Sequence, residues 1–285
     1  LVREMASGVL YVVATPIGNL GDLSPRCVEV LKQVDLIGAE DTRHSAPLLK
    51  QFGIATRMQS LHDHNEHQLV ERLIARLQQG DSIALISDAG TPLISDPGFQ
   101  VVRACHRHGI RVSPIPGSCA AVAALSAAGL ATDRFRFEGF PPRTASARQG
   151  FYAAMADESA TLVFYESSHR VRDSLRDMER VFGAGRQAVV ARELTKLHET
   201  IISGTLAELN AILQRDAMQS KGEFVLMVAG AERSPDEVSP EAQRTLRILC
   251  ESLPVKQAAQ LTARISGERR NLLYQLALRF SDESR

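Results

Sequence analysis

The chain has 285 residues, enough for two ordinary domains and a small appendage. Its 44% hydrophobic and 23% charged content is that of a soluble globular protein and excludes disordered and fibrous classes; no apolar run reaches the roughly 18 to 20 residues of a bilayer span. Lys plus Arg and Asp plus Glu number 33 each, so net charge does not announce nucleic acid, although a local basic face still could.

Leu1 to Ser7 lacks the apolar centre of a signal peptide. Cys27, Cys105, Cys119 and Cys250 are scattered with no CxxC pair, which argues against a zinc ribbon or a disulfide scaffold. The cytoplasm is the expected compartment. Val9 to Ala14, stopped by Thr15-Pro16, predicts a buried strand. Ser24-Pro25 predicts a helix start, with Ser accepting a first-turn N–H and Pro having none to leave unpaired. Leu36 to Ala39 is a second strand, ending at Glu40-Asp41-Thr42-Arg43-His44. Asn65 is placed to cap an amphipathic helix with Leu69, Leu73, Ile74 and Leu77 on one face and Gly80 at its end. Ile83 to Ile86 and Ile110 to Ile115 complete a strand set separated by helices. Such alternation predicts a mostly parallel sheet covered on both faces, here an N-terminal α/β domain over residues 8–130.

From Arg134 to Arg143 the chain is polar, aromatic and proline-containing, which reads as a domain junction. A second α/β domain, residues 131–231, follows. Its strands are expected at Thr161 to Tyr165, Gln187 to Ala191, Glu199 to Ser203 and Glu223 to Val228, with a helix from about Ser168 to Phe182. Residues 232–285 form a Pro/Ser/Glu-rich linker and a small helical appendage, with helices near Glu241 to Glu251, Val255 to Ile265 and Glu268 to Phe280.

The chemistry is expected at the strand ends. Gly18 and Gly21 in Thr15 to Asp22 permit positive φ and close backbone approach, and the helix that follows offers free N–H groups. No Gly-Lys-Ser/Thr follows, so this is not a Walker loop, and the Gly18-x-x-Gly21 spacing is not GxGxxG. Ser87 to Gly98 holds more Gly, Pro and Asp than one turn needs, at the edge where open α/β sheets bind ligands. Ile115 to Ala120 is a third such end. The plain alternative is three ordinary strand–helix loops.

In chain order the sequence reads TPIGNLGD (15–22), AEDTRH (39–44), LHDHNE (61–66), SDAGTPLISDPG (87–98), IPGSCAA (115–121), FYESSHR (164–170), ARELTK (191–196) and KGE (221–223). Together these motifs resemble the tetrapyrrole (corrin/porphyrin) methylase superfamily, and within it the branch of small-subunit ribosomal RNA methyltransferases. The resemblance spans about Leu10 to Gly230, and the helical tail is similar too. It implies two α/β domains with a cleft between them, S-adenosyl-L-methionine as cofactor, and a homodimer. Wider members carry a GxGPGD-type loop at Thr15 to Asp22, with Ile17 at its Pro position. Many also have Gly-Gly-Asp-Pro at Ala89 to Pro92, so Thr91 removes a carboxylate that elsewhere faces the ribose. Carried over as cofactor contacts are Pro16, Ile17, Gly18, Ala89, Gly90, Thr91, Ile94, Cys119 and Ala120, with Glu166 and Leu194 from the second domain. The resemblance further implies transfer of methyl to the ribose 2′-oxygen of a cytidine in the decoding region of 16S rRNA, with that RNA or the small ribosomal subunit as partner and no DNA or membrane. Methylation of a tetrapyrrole small molecule, or RNA binding without catalysis, are the alternatives.

A ribose hydroxyl is a poor nucleophile and is helped by a base or a cation. Glu40 and Asp41 are the first candidates, because relatives place an important Asp there; Asp41 capping a turn and Glu40 pairing with Arg43 is the plain reading. Glu193 and Lys196 form a second set, with a surface salt-bridge group as its alternative. His62, Asp63, His64 and His67 suggest a metal site, but methyl transfer from a sulfonium needs none, so no metal is expected. RNA contacts are expected from Arg43, His44, Arg134, Arg136, Arg143, Arg269 and Arg270. Arg148 and the interleaved Phe135, Phe137 and Phe140 belong to the same basic–aromatic stretch. An edge strand with buried Phe and exposed Arg explains Phe135 to Phe137 equally well, and a solvated helix face explains the tail.

Overall fold

The computed structural model describes residues 8–61, 66–215, 221–231 and 238–283. The first sheet contains β1 (Val9–Val13), β2 (Leu36–Ala39), β3 (Met58–Ser60), β4 (Ile83–Ile86) and β5 (Arg111–Ile115) in the order β3-β2-β4-β1-β5. All its pairings are parallel, so every strand ends at one edge. β2 and β4 are buried at every position, which is why they read as continuous apolar runs. Helices α1 (Pro25–Gln33) and α2 (Thr42–Gln51) cover one face through Cys27, Leu31 and Leu49. Helices α3 (Glu66–Gln78) and α4 (Phe99–Arg107) cover the other through Leu69, Leu73, Val101 and Cys105. Ser24 caps α1 as expected, its hydroxyl accepting from Cys27 N at 3.2 Å. The Asn65 cap, like His62, Asp63 and His64, lies outside the described residues, as does the side chain of His67.

The second sheet has the order β6-β7-β10-β8-β9, built from β6 (Phe135–Gly139), β7 (Thr161–Ser167), β8 (Gln187–Arg192), β9 (Thr200–Thr205) and β10 (Glu223–Val228). Only the β6–β7 pair is parallel; the other pairings are antiparallel. One face packs on α6 (Ala145–Ala153), α7 (Val171–Phe182) and α8 (Leu206–Arg215) around Tyr152, Phe164, Leu175, Met178 and Leu209. The other packs on α5 (Ala120–Ala128), whose Ala121, Ala124 and Ala128 lie against Val163, Val189 and Met227. α5 therefore belongs to the second sheet by packing, although it falls within residues 8–130. Its run of alanines permits close approach, and Gly129 ends it in the left-handed region at φ 68°.

Strand β3 and helices α6 and α8 have no clear sequence signal, and β6 is the edge-strand alternative read at Phe135 to Phe137. β3 is three residues long and β6 is an edge strand. In β6 Phe137 packs edge-to-face on Tyr165 at 4.8 Å, whereas Phe135 is exposed and Arg136 pairs with Glu138 and Glu158. Arg148 is a correction. It is buried and its guanidinium grips Asp177 at 2.8 and 2.5 Å, so it joins α6 to α7 and offers RNA nothing.

Residues 1–230 form one compact unit and 231–285 another. In the second, α9 (Pro240–Cys250), α10 (Val255–Ser266) and α11 (Arg270–Glu283) close around Ala242, Leu246, Ala258, Ala259, Leu273 and Ala277. Ser239 caps α9 through Ala242 N, and Gly267 ends α10 at φ 74°. Among the described residues no helix is long and apolar enough to cross a membrane.

Candidate active site

The parallel edge of the first sheet faces one end of the second, and between them lies a cavity of about 400 Å³. This volume suits a small-molecule site. The ends of β1, β2 and β4 supply Ile17, Glu40 and the stretch Asp88 to Thr91, followed by Ile94, Ser95 and Asp96. Cys119 and Ala120 come from the start of α5, and Phe140, Tyr165, Glu166, Leu194 and Glu223 to Val225 from the second half.

The loops are stitched together by backbone groups. Thr15 and Gly90 exchange N–H to carbonyl bonds of 2.8 and 3.1 Å. Gly90 sits at φ 84°, and a Cβ there would lie 3.3 Å from Ile17 Cγ2. The Thr91 hydroxyl donates to Ser118 O at 3.0 Å, so the residue that replaces the superfamily acid ties two loops together. Gly18 and Gly21 do not take positive φ. Gly18 instead allows close packing, since a Cβ would fall 2.4 Å from Lys196 Cγ. At the α1 entrance Pro25 has no N–H and Ser24 accepts from Cys27 N, which leaves fewer free N–H groups there than expected.

Of the expected cofactor residues, Ile17, Ala89, Gly90, Thr91, Ile94, Cys119, Ala120, Glu166 and Leu194 line the cavity, and Pro16 and Gly18, the chain neighbours of Ile17, do not. Glu166 lines it by its backbone. On β7 its side chain shares the face of Leu162 and Phe164, where Ser174, Arg170 (2.7 Å) and Ser167 N (2.8 Å) take up its carboxylate.

Glu40 lines the cavity, and its Oε2 accepts from Asp88 N at 3.3 Å. Asp41 does not line it. Its carboxylate caps α2 through Arg43 N at 2.8 Å and holds the Arg43 guanidinium at 2.9 Å, and these bonds pull it down to about 2. Such a carboxylate is a weak base at neutral pH. Lys196 Nζ lies between Glu193 (3.0 Å) and Glu223 (2.9 Å), outside the cavity wall but beside Glu223, which lines it. Burial works against ionisation of Glu193, but the Glu223 N–H and Lys196 outweigh it and hold the carboxyl below its usual range.

Sequence reasoning passed over Asp88, Asp96, Tyr165 and Glu223, although all lie in motifs quoted above, and it read Phe140 as part of an RNA-contacting stretch where it lines the cavity. Asp96 stands out. Burial raises it first, the charges of Glu40 and Asp88 raise it further, and the neighbouring Ser87 hydroxyl opposes them; the result is about 6. Burial also pushes the Tyr165 hydroxyl well up, while that oxygen accepts from Ala121 N at 3.2 Å. Among the described residues the lining holds carboxylates and no Lys, Arg or His. A ligand with cationic sulfur and ammonium groups fits that field, and the apolar walls of Ile17, Ile94, Leu194 and Val225 suit its flat base.

The sequence model of the Tetrapyrrole (Corrin/Porphyrin) Methylases matches residues 9–210, and that of the RsmI C-terminal HTH domain matches residues 236–281. The fold and cavity thus define an S-adenosylmethionine-dependent methyltransferase, and the chain belongs to the tetrapyrrole methylase family. It is 54% identical over 282 residues to the ribosomal RNA small subunit methyltransferase I of Pseudomonas aeruginosa, covering 98% of this chain and all of that protein. It is 52% identical over 275 residues to the protein of the same name from Escherichia coli O157:H7, covering 96% of each. Among solved structures, uroporphyrin-III-C-methyltransferase from Thermus thermophilus matches with TM-score 0.54 and 20% identity, over 78% of this chain and 94% of that one. Diphthine synthase matches with TM-score 0.59 and 15% identity, over 78% and 90%. These two likenesses show the fold.

Proposed function

We propose that the chain methylates the ribose 2′-oxygen of a cytidine in the decoding region of 16S ribosomal RNA, acting on that RNA or the small subunit in the cytoplasm as a homodimer. The near full-length identity to relatives named ribosomal RNA small subunit methyltransferase I carries this reading. The cavity supports it against the tetrapyrrole alternative, because a polycarboxylate macrocycle would meet Glu40, Asp88, Asp96 and Glu223 and, among the described residues, no cation in the wall. A nucleoside can enter while its phosphates stay at basic side chains outside. Arg43, His44, Arg134 and Arg143 are exposed in the first unit, and Arg269 and Arg270 in the second.

When bound, S-adenosylmethionine supplies an electrophilic methyl on a positively charged sulfur. The backbone of Ala89 to Thr91, with Ile17, Cys119, Ala120 and Leu194, would hold it. Glu40 and its neighbouring carboxylates favour its cationic end and can take up a proton. The Glu193–Lys196–Glu223 bridge packs Lys196 of the 193–199 loop against Gly18. The test is transfer of labelled methyl to small ribosomal subunits or their RNA, followed by nucleoside analysis. Label in 2′-O-methylcytidine is expected; label in a precorrin and none in RNA would sink the reading. Light scattering of the purified chain tests the dimer.

A further inference from the structure

Among the described residues the exposed Phe and Tyr side chains are Phe99, Phe135, Phe140 and Tyr274. Of these, Phe140 alone lines the cavity, and it is 54% exposed, so its ring stands at the rim. The chain around it builds that position. β6 loses register against β7 between Phe137 and Gly139, and Gly139 turns the backbone at φ 66°. Bulges of this kind re-aim a side chain, and they recur beside active sites. Phe137 packs edge-to-face on Tyr165 at 4.8 Å from within the strand, and Phe140 reaches the same ring at 5.6 Å from just beyond it. Tyr165 is itself fixed, its hydroxyl accepting from Ala121 N at 3.2 Å. The loop after Phe140 is pinned twice. Arg170 Nη1 donates to Pro141 O at 3.0 Å, and Arg148 Nη1 donates to Arg143 O at 3.2 Å. Glu166 and Asp177 hold those two guanidiniums in turn. An apolar ring is thus kept ordered and half in solvent at the edge of a ligand cavity.

We propose that Phe140 is the platform on which the base of the substrate nucleotide stacks while its ribose enters the cavity; this rests on the ribose-methylation reading above. A base drawn out of its strand loses its stacked neighbours, and an aromatic side chain replaces them. A ring already ordered before the RNA arrives does so at little conformational cost. The surroundings favour a nucleotide over other planar ligands. Arg134, just before β6, and Arg143, three residues after Phe140, are exposed cations placed to meet the flanking phosphates. The carboxylates of Glu40 and Asp88 inside the cavity repel those phosphates, which keeps the RNA backbone at the rim. Stacking accepts any base, so Phe140 orients the nucleotide and does not choose it.

The test uses Phe140→Leu and Phe140→Trp in the full chain. Leucine keeps apolar cover over Tyr165 but has no aromatic face, so it separates stacking from packing. On small ribosomal subunits or their RNA, whichever the wild type labels, kcat/KM should fall by about 10- to 100-fold in Phe140→Leu. Phe140→Trp should stay within about threefold of wild type, because the larger ring stacks as well. By calorimetry, both variants should bind S-adenosylhomocysteine within about threefold of wild type, which also shows that they are folded. Parallel loss of cofactor affinity and turnover in Phe140→Leu would make the ring a cofactor or packing contact and overturn the assignment. So would a Phe140→Leu enzyme with wild-type kcat/KM, or a Phe140→Trp enzyme as defective as Phe140→Leu. Failure of the wild type to label RNA would overturn the substrate reading and this assignment with it, whereas wild-type labelling beside a fully active Phe140→Leu overturns the assignment alone.

Discussion

Replacing Gly90 with alanine tests whether the β4 loop shapes the cofactor cavity. Gly90 sits at φ 84°, where an L side chain costs about 1 to 2 kcal/mol. The new Cβ would also lie 3.3 Å from Ile17 Cγ2, so Ile17 must shift by a few tenths of an ångström or leave its rotamer, adding about 0.5 to 1.5 kcal/mol. The sum is about 2 kcal/mol, equivalent to about 4 to 8 °C in Tm for a domain of this size. Ile17 lines the cavity, so S-adenosylhomocysteine binding should weaken by about tenfold. Gly129→Ala is the control: its φ is 68° but a Cβ there meets nothing within 4 Å. It should lose about 1 kcal/mol and leave affinity unchanged. Thermal unfolding and calorimetry on both variants decide the matter. If Gly90→Ala matched Gly129→Ala in Tm and bound like wild type, the packing argument would be wrong.

Three further outcomes are expected. Asp96 holds its proton more tightly folded than unfolded, so its contribution is fully present below about pH 4 and is lost as pH rises through about 6. Asp96→Asn should therefore raise stability at pH 8 by about 1 kcal/mol, allowing for partial exposure, with no gain at pH 4; equal effects at both pH values would contradict this. Arg148→Ala strands the buried Asp177 carboxylate and should cost about 3 to 5 kcal/mol in urea unfolding, a loss under 1 kcal/mol counting against it. If Arg269 and Arg270 contact phosphates, replacing both with alanine should lower the slope of log affinity for RNA against log salt by about 1.5, and an unchanged slope would remove them from the interface.

The loops were legible because Gly, Pro and Asp at strand ends carry their turn chemistry locally: Ser24 caps where a Ser-Pro pair should, and Gly90 bridges Thr15 from within the motif that drew notice. Tertiary facts were not legible. Gly18 permits close packing of Lys196 and not positive φ, because its neighbour comes from a distant loop of the second sheet. Arg148 read as basic surface, but its partner Asp177 stands 29 residues on and turns it inward. Glu166 looked like a ligand contact, yet strand alternation turns its carboxylate toward Ser174 and Arg170. Asp96 was one of two aspartates in its motif until burial beside Glu40 and Asp88 set it apart. Helix α5 followed the first set of strands in sequence, and only packing assigns it to the second sheet.

The most direct measurement is a map of ribose methylation in 16S ribosomal RNA from cells with and without this protein. One 2′-O-methylcytidine in the decoding region should vanish on its removal and return with the wild-type chain. An unchanged ribose map, or loss of a base methyl in its place, would contradict the account.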